Sequence, residues 1–230
     1  MLTSKDFVAK IESENEALFR ASELQIKHYY ENVTDKDELI DNFTGRMVNE
    51  RMNMEEISRE VAALPAGTDP EKLVLLSKQA HDEAKHFQFV KEVVEYLKGE
   101  ELDMQKAVEA HASRLEQKGA AMIKKYNCNG NPLMLGLYQL LAEGRAARNW
   151  AMMAEVIEDK FISSRYAKIA KDESFHATLG RMELEKLCDT QEAQDEINAV
   201  INNFRKDLFA ITSSKTGTLE ESAKLMEVYA

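Results

Sequence analysis

Apolar residues recur at spacings of three and four along most of this 230-residue chain, a pattern typical of helices with one buried face. In the segment 36–64 the stripe consists of Leu39, Phe43, Met47, Met54, Ile57 and Val61. Further helices are predicted at about 4–31, 70–99, 103–126, 132–157, 160–187 and 190–212. The three prolines, Pro65, Pro70 and Pro132, fall between these segments. We therefore predict an all-α protein, with Asp69 capping one helix start and Asp189 another.

Four of the apolar stripes are each interrupted by a glutamate: Glu50, Glu83, Glu143 and Glu173. Two of these belong to one repeated motif, D-E-x-x-H, at Asp82 to His86 and at Asp172 to His176. Residues three apart lie on one face of a helix, so each motif can present a carboxylate and an imidazole to one metal ion. Burying the four carboxylates would be costly unless they were paired, protonated or bound to metal.

The spacing of the glutamates predicts that they meet in two helical hairpins. At a rise of about 1.5 Å per residue, Glu50 lies about 21 Å before the end of its helix and Glu83 about 20 Å after the start of the next. Glu143 and Glu173 lie about 22 Å and 20 Å from their own turn. Packing the hairpins would bring together six ligands: Glu50, Glu83, His86, Glu143, Glu173 and His176. This is the ligand set of four-helix bundles that bind two iron or manganese ions.

Several neighbours of these ligands have predicted supporting roles. Asp82 and Asp172, four residues before the histidines, are expected to bind the imidazole nitrogen that faces away from the metal. Gln139, four residues before Glu143, is a further candidate for support. A small error in the assumed rotation of the helix would place Glu55 or Glu56 on the inward face in place of Glu50. The register of the apolar stripe favours Glu50 as the ligand.

An apolar substrate pocket is expected beside the metals, because an apolar wall holds an organic substrate and keeps water away. Gly136 and Ala147 are small and would leave room there. Trp150 and Tyr166 could be redox-active, although core packing is the preferred role. The predicted lining is Met47, Met54, Leu140, Ala147, Trp150 and Tyr166.

Composition narrows the function classes. A formal net charge of −11 and a pI near 5.1 argue against a broad basic surface for nucleic acid or an anionic membrane. There is no apolar run of membrane-spanning length and no signal-like N-terminus, so a cytoplasmic protein is expected. Cys128 and Cys188 are too few for a four-cysteine metal cluster and are expected to be free thiols.

The remaining histidines and the C-terminus are predicted to have no part in the site. His28, His81 and His111 have no partner at ligand spacing and are expected at the surface or in caps. Tyr229 is expected to lie in a frayed tail.

The chain resembles the ferritin-like superfamily of nonheme diiron carboxylate proteins over about residues 36–188, through the six ligands Glu50, Glu83-x-x-His86, Glu143 and Glu173-x-x-His176. This resemblance implies a ferritin-like four-helix bundle of two antiparallel hairpins joined by a long crossover. Flanking helices at 4–31 and 190–212 would complete a single domain, 1–230. By resemblance, Glu83 and Glu173 would bridge the metals. The motif is similar to D-E-x-R-H of bacterial multicomponent monooxygenases, with Lys85 and Phe175 in place of the arginine.

The resemblance implies an O2-activating oxygenase or oxidase with two iron ions, or alternatively Mn/Fe or Mn/Mn, acting on a small organic, partly apolar substrate. A ferredoxin or reductase would donate electrons, and a homodimer is expected. The first alternative is an iron-handling ferroxidase or a peroxide-scavenging protein, rubrerythrin-like or dimanganese catalase-like. It is less favoured, because ferritin sites generally lack the second histidine and no rubredoxin-type cysteine pairs are present. The second alternative is a metal-free helical interaction scaffold.

Overall fold

The structure, a computed structural model, describes residues 1–114 and 118–230. All the regular structure in this part of the chain is helical, which confirms the predicted all-α class. The helices are α1 (Ser4–Asn32), α2 (Lys36–Ala63), α3 (Pro70–Lys98), α4 (Met104–Ala112), α5 (Ala120–Lys125), α6 (Pro132–Tyr138), α7 (Gly144–Val156), α8 (Lys160–Leu187), α9 (Gln191–Thr216) and α10 (Glu220–Met226). A π-helical segment, Gln139–Glu143, joins α6 to α7, and a 3-10 turn, Glu227–Tyr229, ends the chain.

Aspartate caps fix where the site-bearing helices begin. The Asp69 side chain accepts from the Glu71 backbone N–H with Pro70 at the first helical position, as predicted. Asp35 and Asp159 cap α2 and α8 in the same way. The predicted cap at Asp189 is wrong, because the Thr190 side chain accepts from the Ala193 N–H at the start of α9. Fixed starts and short loops set the level of each glutamate along its hairpin.

Two hairpins carry the site. Helix α2 packs along α3, helix α7 packs along α8, and α3 contacts α8. Helix α1 packs against α7, α8, α9 and α10. The apolar core is divided into two clusters, one around Leu76, Leu140 and Leu184 and one around Val90, Trp150 and Tyr166. The glutamates and histidines of α3 and α8 lie between these clusters.

The crossover differs from its prediction. A single helix over about 103–126 was expected, but α4 ends at Ala112 and α5 begins at Ala120. Residues 115–117 of that prediction lie outside the described residues. Both short helices pack on α2, and the Ala120 N–H donates to Asn49 Oδ1 at 3.3 Å. The crossover therefore covers the outer side of α2.

The C-terminus is ordered against α1, which corrects the prediction of a frayed tail. Tyr229 is 3% exposed. Its hydroxyl donates to the Glu14 carbonyl and accepts from the Leu18 N–H at 3.2 Å. Packing of α10 on α1 holds the ring in place, so the segment after Thr216 is part of the fold.

Two findings bear on composition-based predictions. None of the helices described combines the length and apolarity needed to cross a lipid bilayer.

Cys128 and Cys188 are free and buried. Burial raises the pKa of the Cys128 thiol to about 12, so this thiol is protonated at neutral pH.

Candidate metal centre

The structure brings all six predicted ligands together in the space between α2, α3, the π-helical segment and α8. Two groups of four can each surround a metal ion: Glu50, Glu83, His86 and Glu173 form one, and Glu83, Glu143, Glu173 and His176 form the other. Within each group the ligand atoms all lie within 4.8 Å of one another. The two groups share Glu83 and Glu173, the carboxylates expected to bridge. None of the six residues is more than 3% exposed.

Both histidines direct Nδ1 into the cluster. His86 Nδ1 lies 3.6 Å from carboxylate oxygens of Glu50, Glu83 and Glu173. His176 Nδ1 lies 3.4 Å from Glu83 Oε1 and 3.0 Å from Glu173 Oε2. The Nδ1 atoms are therefore the metal-facing nitrogens, and the Nε2 atoms face outward.

The outward nitrogens meet the two aspartates across the helix pair. His86 Nε2 lies 3.5 Å from Asp172 Oδ2, and His176 Nε2 lies 3.4 Å from Asp82 Oδ2. Each aspartate thus faces the histidine of the other motif, which corrects the expected pairing within one helix. The crossed contacts show that α3 and α8 run antiparallel, so residues four before one histidine lie beside the other.

Charges around the aspartates keep them ionised. Burial would raise the pKa of the Asp82 carboxyl, but hydrogen bonds from His176 and Lys78 outweigh burial and lower it. Lys78 also lies over the Phe175 ring, 4.5 Å from its centroid. The neighbouring imidazole of His86 lowers the pKa of the Asp172 carboxyl. Ionised aspartates are suited to hold each imidazole with its proton on Nε2.

The pKa values of the clustered carboxylates are shifted in different directions. Burial raises the pKa of Glu50 to about 7, and it raises the pKa of Glu143 well above its usual range together with the charges of Glu173 and Glu83. Burial would also raise the pKa of Glu83, but the neighbouring imidazoles of His176 and His86 outweigh burial and lower it to about 2. Four carboxyl groups are therefore buried close together, and keeping them all ionised without a bound cation is unfavourable. Divalent metal ions would neutralise their charge.

A glutamine missed by the sequence analysis supports Glu143. Gln79 Nε2 donates to Glu143 Oε1 at 3.2 Å, and Gln139 Nε2 donates to Gln79 Oε1 at 2.7 Å. The predicted support from Gln139 therefore reaches Glu143 through Gln79, which is fully buried. Gln79 precedes Glu83 by four residues on the same helix face, and this spacing was the available signal.

The helix that carries Glu143 is locally widened. Gln139–Glu143 is π-helical, a geometry frequent at functional sites. Opposite this segment, a Cβ on Gly180 would lie 2.5 Å from the Leu140 backbone nitrogen and 2.6 Å from the Gly136 carbonyl oxygen. Glycine at position 180 therefore allows the α8 backbone to touch the widened segment. The close approach fixes the distance between Glu143 and the α8 ligands.

The structure places the alternatives to Glu50 outside the cluster. Glu55 pairs with Arg51 at 3.0 Å, and Glu56 pairs with Arg59. These contacts lie along the outer face of α2. Glu50 is thus the glutamate that α2 directs inward.

The residues predicted to line an apolar pocket are divided between different parts of the molecule. Met47, Trp150 and Tyr166 belong to one apolar cluster and Leu140 to the other. Met54 and Ala147 are half-buried. Gly136 leaves no room, because a Cβ there would lie 3.2 Å from Leu184. Among the six, Trp150 lines a cavity beside Glu50, and the pocket formed by all six remains a prediction.

The other histidines lie away from the site. His28 and His81 are exposed, as expected. His111 is 5% exposed and pairs with Asp41 through Nε2 at 3.2 Å, so the expected surface position is wrong for this residue. Its ring lies against Gly45, which has no side chain to exclude it.

The donor set fits two metal ions. Among the described residues, Glu50 Oε2, both Glu83 oxygens and both ring nitrogens of His86 are buried without a hydrogen-bond partner. All of these except the outward-facing His86 Nε2 belong to the ligand cluster. Buried polar atoms are rarely left unpaired, and here they point at a common space. Four carboxylates and two imidazoles suit iron or manganese.

Comparison of the chain with family models, with curated proteins and with solved structures finds no match. The interpretation of the site therefore rests on its own geometry.

Proposed function

We propose that this chain is a nonheme dinuclear iron oxygenase or oxidase that activates O2 and acts on a small organic, partly apolar substrate. Its two hairpins would form a ferritin-like four-helix bundle. The observation that carries this proposal is the pair of overlapping ligand groups that share Glu83 and Glu173.

The residues divide into two sets of ligands. Glu50 and His86 would hold one metal, Glu143 and His176 the other, and Glu83 and Glu173 would contact both. Bound there, two iron(II) ions would supply the electrons that reduce dioxygen. Four carboxylates balance the charge of two divalent ions, which would make the filled centre close to neutral.

The protein would control water and protons around this centre. The apolar clusters on either side exclude bulk water from the buried ligands, which limits side reactions of an oxidising centre. Asp82 and Asp172 would keep the Nε2 protons of the histidines in place, leaving each Nδ1 lone pair for a metal.

The substrate would bind on the Glu50 side, where Trp150 and Glu50 line the same cavity. Two electrons are needed for each turnover, so the proposal includes an electron-donor protein, a ferredoxin or a reductase. The cytoplasmic location and the homodimer remain predictions.

Two alternative functions remain, one with the same metal ligands and one without a metal. An iron-handling or peroxide-scavenging protein, including a dimanganese catalase-like one, would need no organic substrate beside the metals. A metal-free scaffold would leave the unpaired buried oxygens of Glu83 unexplained.

The test is anaerobic loading with iron(II), metal counting and stopped-flow absorbance on mixing with O2, with and without a chemical reductant. We expect two irons per chain and a transient visible absorbance that Glu50→Gln abolishes. The matched control is Glu55→Gln, which removes a partly exposed carboxylate from the same helix. An inert centre, or continued iron uptake beyond two per chain, would contradict the proposal.

A further inference from the structure

A small polar cavity adjoins the candidate metal centre on the side of α2. It has a volume of about 40 Å³ and its lining includes Glu50, Trp150, Arg46, Arg145 and Lys215. At about 10–15 Å³ per water, such a space holds about three waters. A carboxylate or a phosphate group occupies a similar space.

The cavity wall carries buried positive charge. Arg46 is 7% exposed and Arg145 is 8% exposed, and neither forms an ion pair with an acidic side chain in the part of the chain that the structure describes. Arg46 Nε donates to Tyr30 Oη and Asn42 Oδ1, both at 3.1 Å. Arg145 donates to Thr212 Oγ1 at 2.6 Å, while its buried Nε has no partner among the described residues. Within the described part of the chain, these neutral acceptors leave both guanidinium groups without an ion pair.

Occupation of the metal centre would leave these charges unbalanced. Glu50 is the acidic residue in the lining of this cavity. Glu50 lies against His86 and not against Arg46 or Arg145, so metal binding by Glu50 would leave both arginines without an ion pair. Unpaired buried charges are costly, and arginine cannot relieve the cost by losing its proton. An anion in the cavity would remove this cost.

The cations are close enough to repel one another. Burial lowers the pKa of Lys215 well below its usual range, and the charges of Arg46, Lys118 and Arg145 lower it further. The Arg46 guanidinium is held over the Trp150 ring, 5.4 Å from its centroid. An anionic group would face several donors at once.

We propose that this cavity binds a carboxylate or phosphate group, and that the substrate of the metal centre is a small organic anion. Arg46 and Arg145 would bind the anionic group beside Trp150. The assignment as substrate rests on the proposed function, whereas the anion site depends only on the cavity. Arginine suits this role because its planar donors match carboxylate and phosphate oxygens.

A second cavity shares the lining residue Lys215 with this site. It has a volume of about 120 Å³ and its lining includes Asp41, His111, Arg114, Lys118 and Lys215. Lys215 lines both cavities. His111, Arg114 and Lys118 come from the crossover. The lining also contains the carboxylates of Glu38 and Asp41, and Asp41 pairs with His111 and Arg114. Among the described residues, Lys118 and Lys215 are the cations of this lining that form no ion pair.

The test is calorimetric titration of the full chain with acetate and with inorganic phosphate, before and after removal of metal by a chelator. We expect saturable binding of one or both anions in both states. Arg46→Gln and Arg145→Gln should weaken it by about tenfold or more, the size expected for one charged hydrogen bond. The control is Arg148→Gln, which removes an exposed charge from the same helix as Arg145.

The outcomes separate this site from the metal site. Equal anion affinity in all variants, or no saturable binding by a chain that holds two metals, would overturn the anion site and leave the proposed function standing. Binding that depends on metal but not on the arginines would place the anion on the metals and would also overturn it. If the chain takes up no metal when it is loaded with iron(II) but still binds the anion, the result would support the cavity and contradict the proposed function. If Arg145→Gln does not fold, Arg46→Lys and Lys215→Gln test the same cavity.

Discussion

His86 Nε2 lies 3.5 Å from the carboxylate of Asp172, a residue of the neighbouring helix and of the other D-E-x-x-H motif. His176 and Asp82 repeat this relationship at 3.4 Å. The two motifs are thus interdependent, because each supplies the outer partner for the histidine of the other. A substitution of the aspartate in one motif should therefore change metal binding by the histidine of the other motif.

The crossed pairing predicts which histidine responds to each aspartate. Asp82→Asn should alter His176, and Asp172→Asn should alter His86, with metal affinity lowered about 10- to 100-fold in either case. Histidine ¹⁵N chemical shifts of the zinc-loaded protein report the ring affected, and chelator competition reports the affinity. Asp189→Asn, at an exposed position, is the control. A response of His86 to Asp82→Asn alone would contradict the pairing.

Gln79 should be needed for the position of Glu143. Gln79→Met keeps the approximate volume but removes the donor to Glu143 and the acceptor for Gln139. Loss of partners for buried polar groups should cost about 1–3 kcal/mol of unfolding free energy. Urea unfolding and metal counting would measure the effect, with Gln88→Met on the exposed face of α3 for comparison. Unchanged stability would show that Gln79 is not required.

Gly180 should be irreplaceable by alanine. The added Cβ would lie 2.5 Å from a backbone nitrogen, so α8 and the π-helical segment would have to move apart. Overpacking of this kind costs about 1–3 kcal/mol. Equilibrium unfolding should detect the loss, and metal stoichiometry should fall because Glu143 moves with the segment. Gly67→Ala has open space around its Cβ and should be tolerated.

Lys118 should make the stability of the protein depend on pH. Burial lowers its pKa from 10.5 to about 8. Between these values the unfolded chain binds a proton that the folded chain has lost, so stability rises with pH. Compared with Lys118→Met, the wild-type chain should gain up to about 3 kcal/mol between pH 7.5 and pH 10.5. Denaturant unfolding at both pH values measures the gain. Lys124→Met, at an exposed position, is the control, and an equal gain there would refute the burial argument.

The sequence predicted those features of the structure that depend on one face of a single helix. Apolar periodicity predicted α2, α3 and α8, and a glutamate on each stripe identified the residues that the structure clusters. The hairpin arithmetic worked because helical rise is constant and because Asp69 and Asp159 cap the helices at the turns.

Features that depend on several helices were not predictable in this way. The crossed aspartates require the antiparallel placement of α3 beside α8, which spacing within one motif does not encode. The π-helical widening depends on the close approach at Gly180. The three cations of the small cavity, Arg46, Arg145 and Lys215, are far apart in sequence. From the sequence alone, each would be expected to lie at the surface. They converge only when α2, α7 and α9 pack around one cavity.

The central claim is that the buried cluster is a dinuclear centre whose metals share Glu83 and Glu173. Its most direct test is a crystal structure of the chain loaded anaerobically with iron(II), with anomalous diffraction recorded at the iron edge. The account predicts two anomalous peaks, with Glu83 and Glu173 contacting both and Glu50, His86, Glu143 and His176 each contacting one. A single peak, no peak, or iron held by other residues would contradict it.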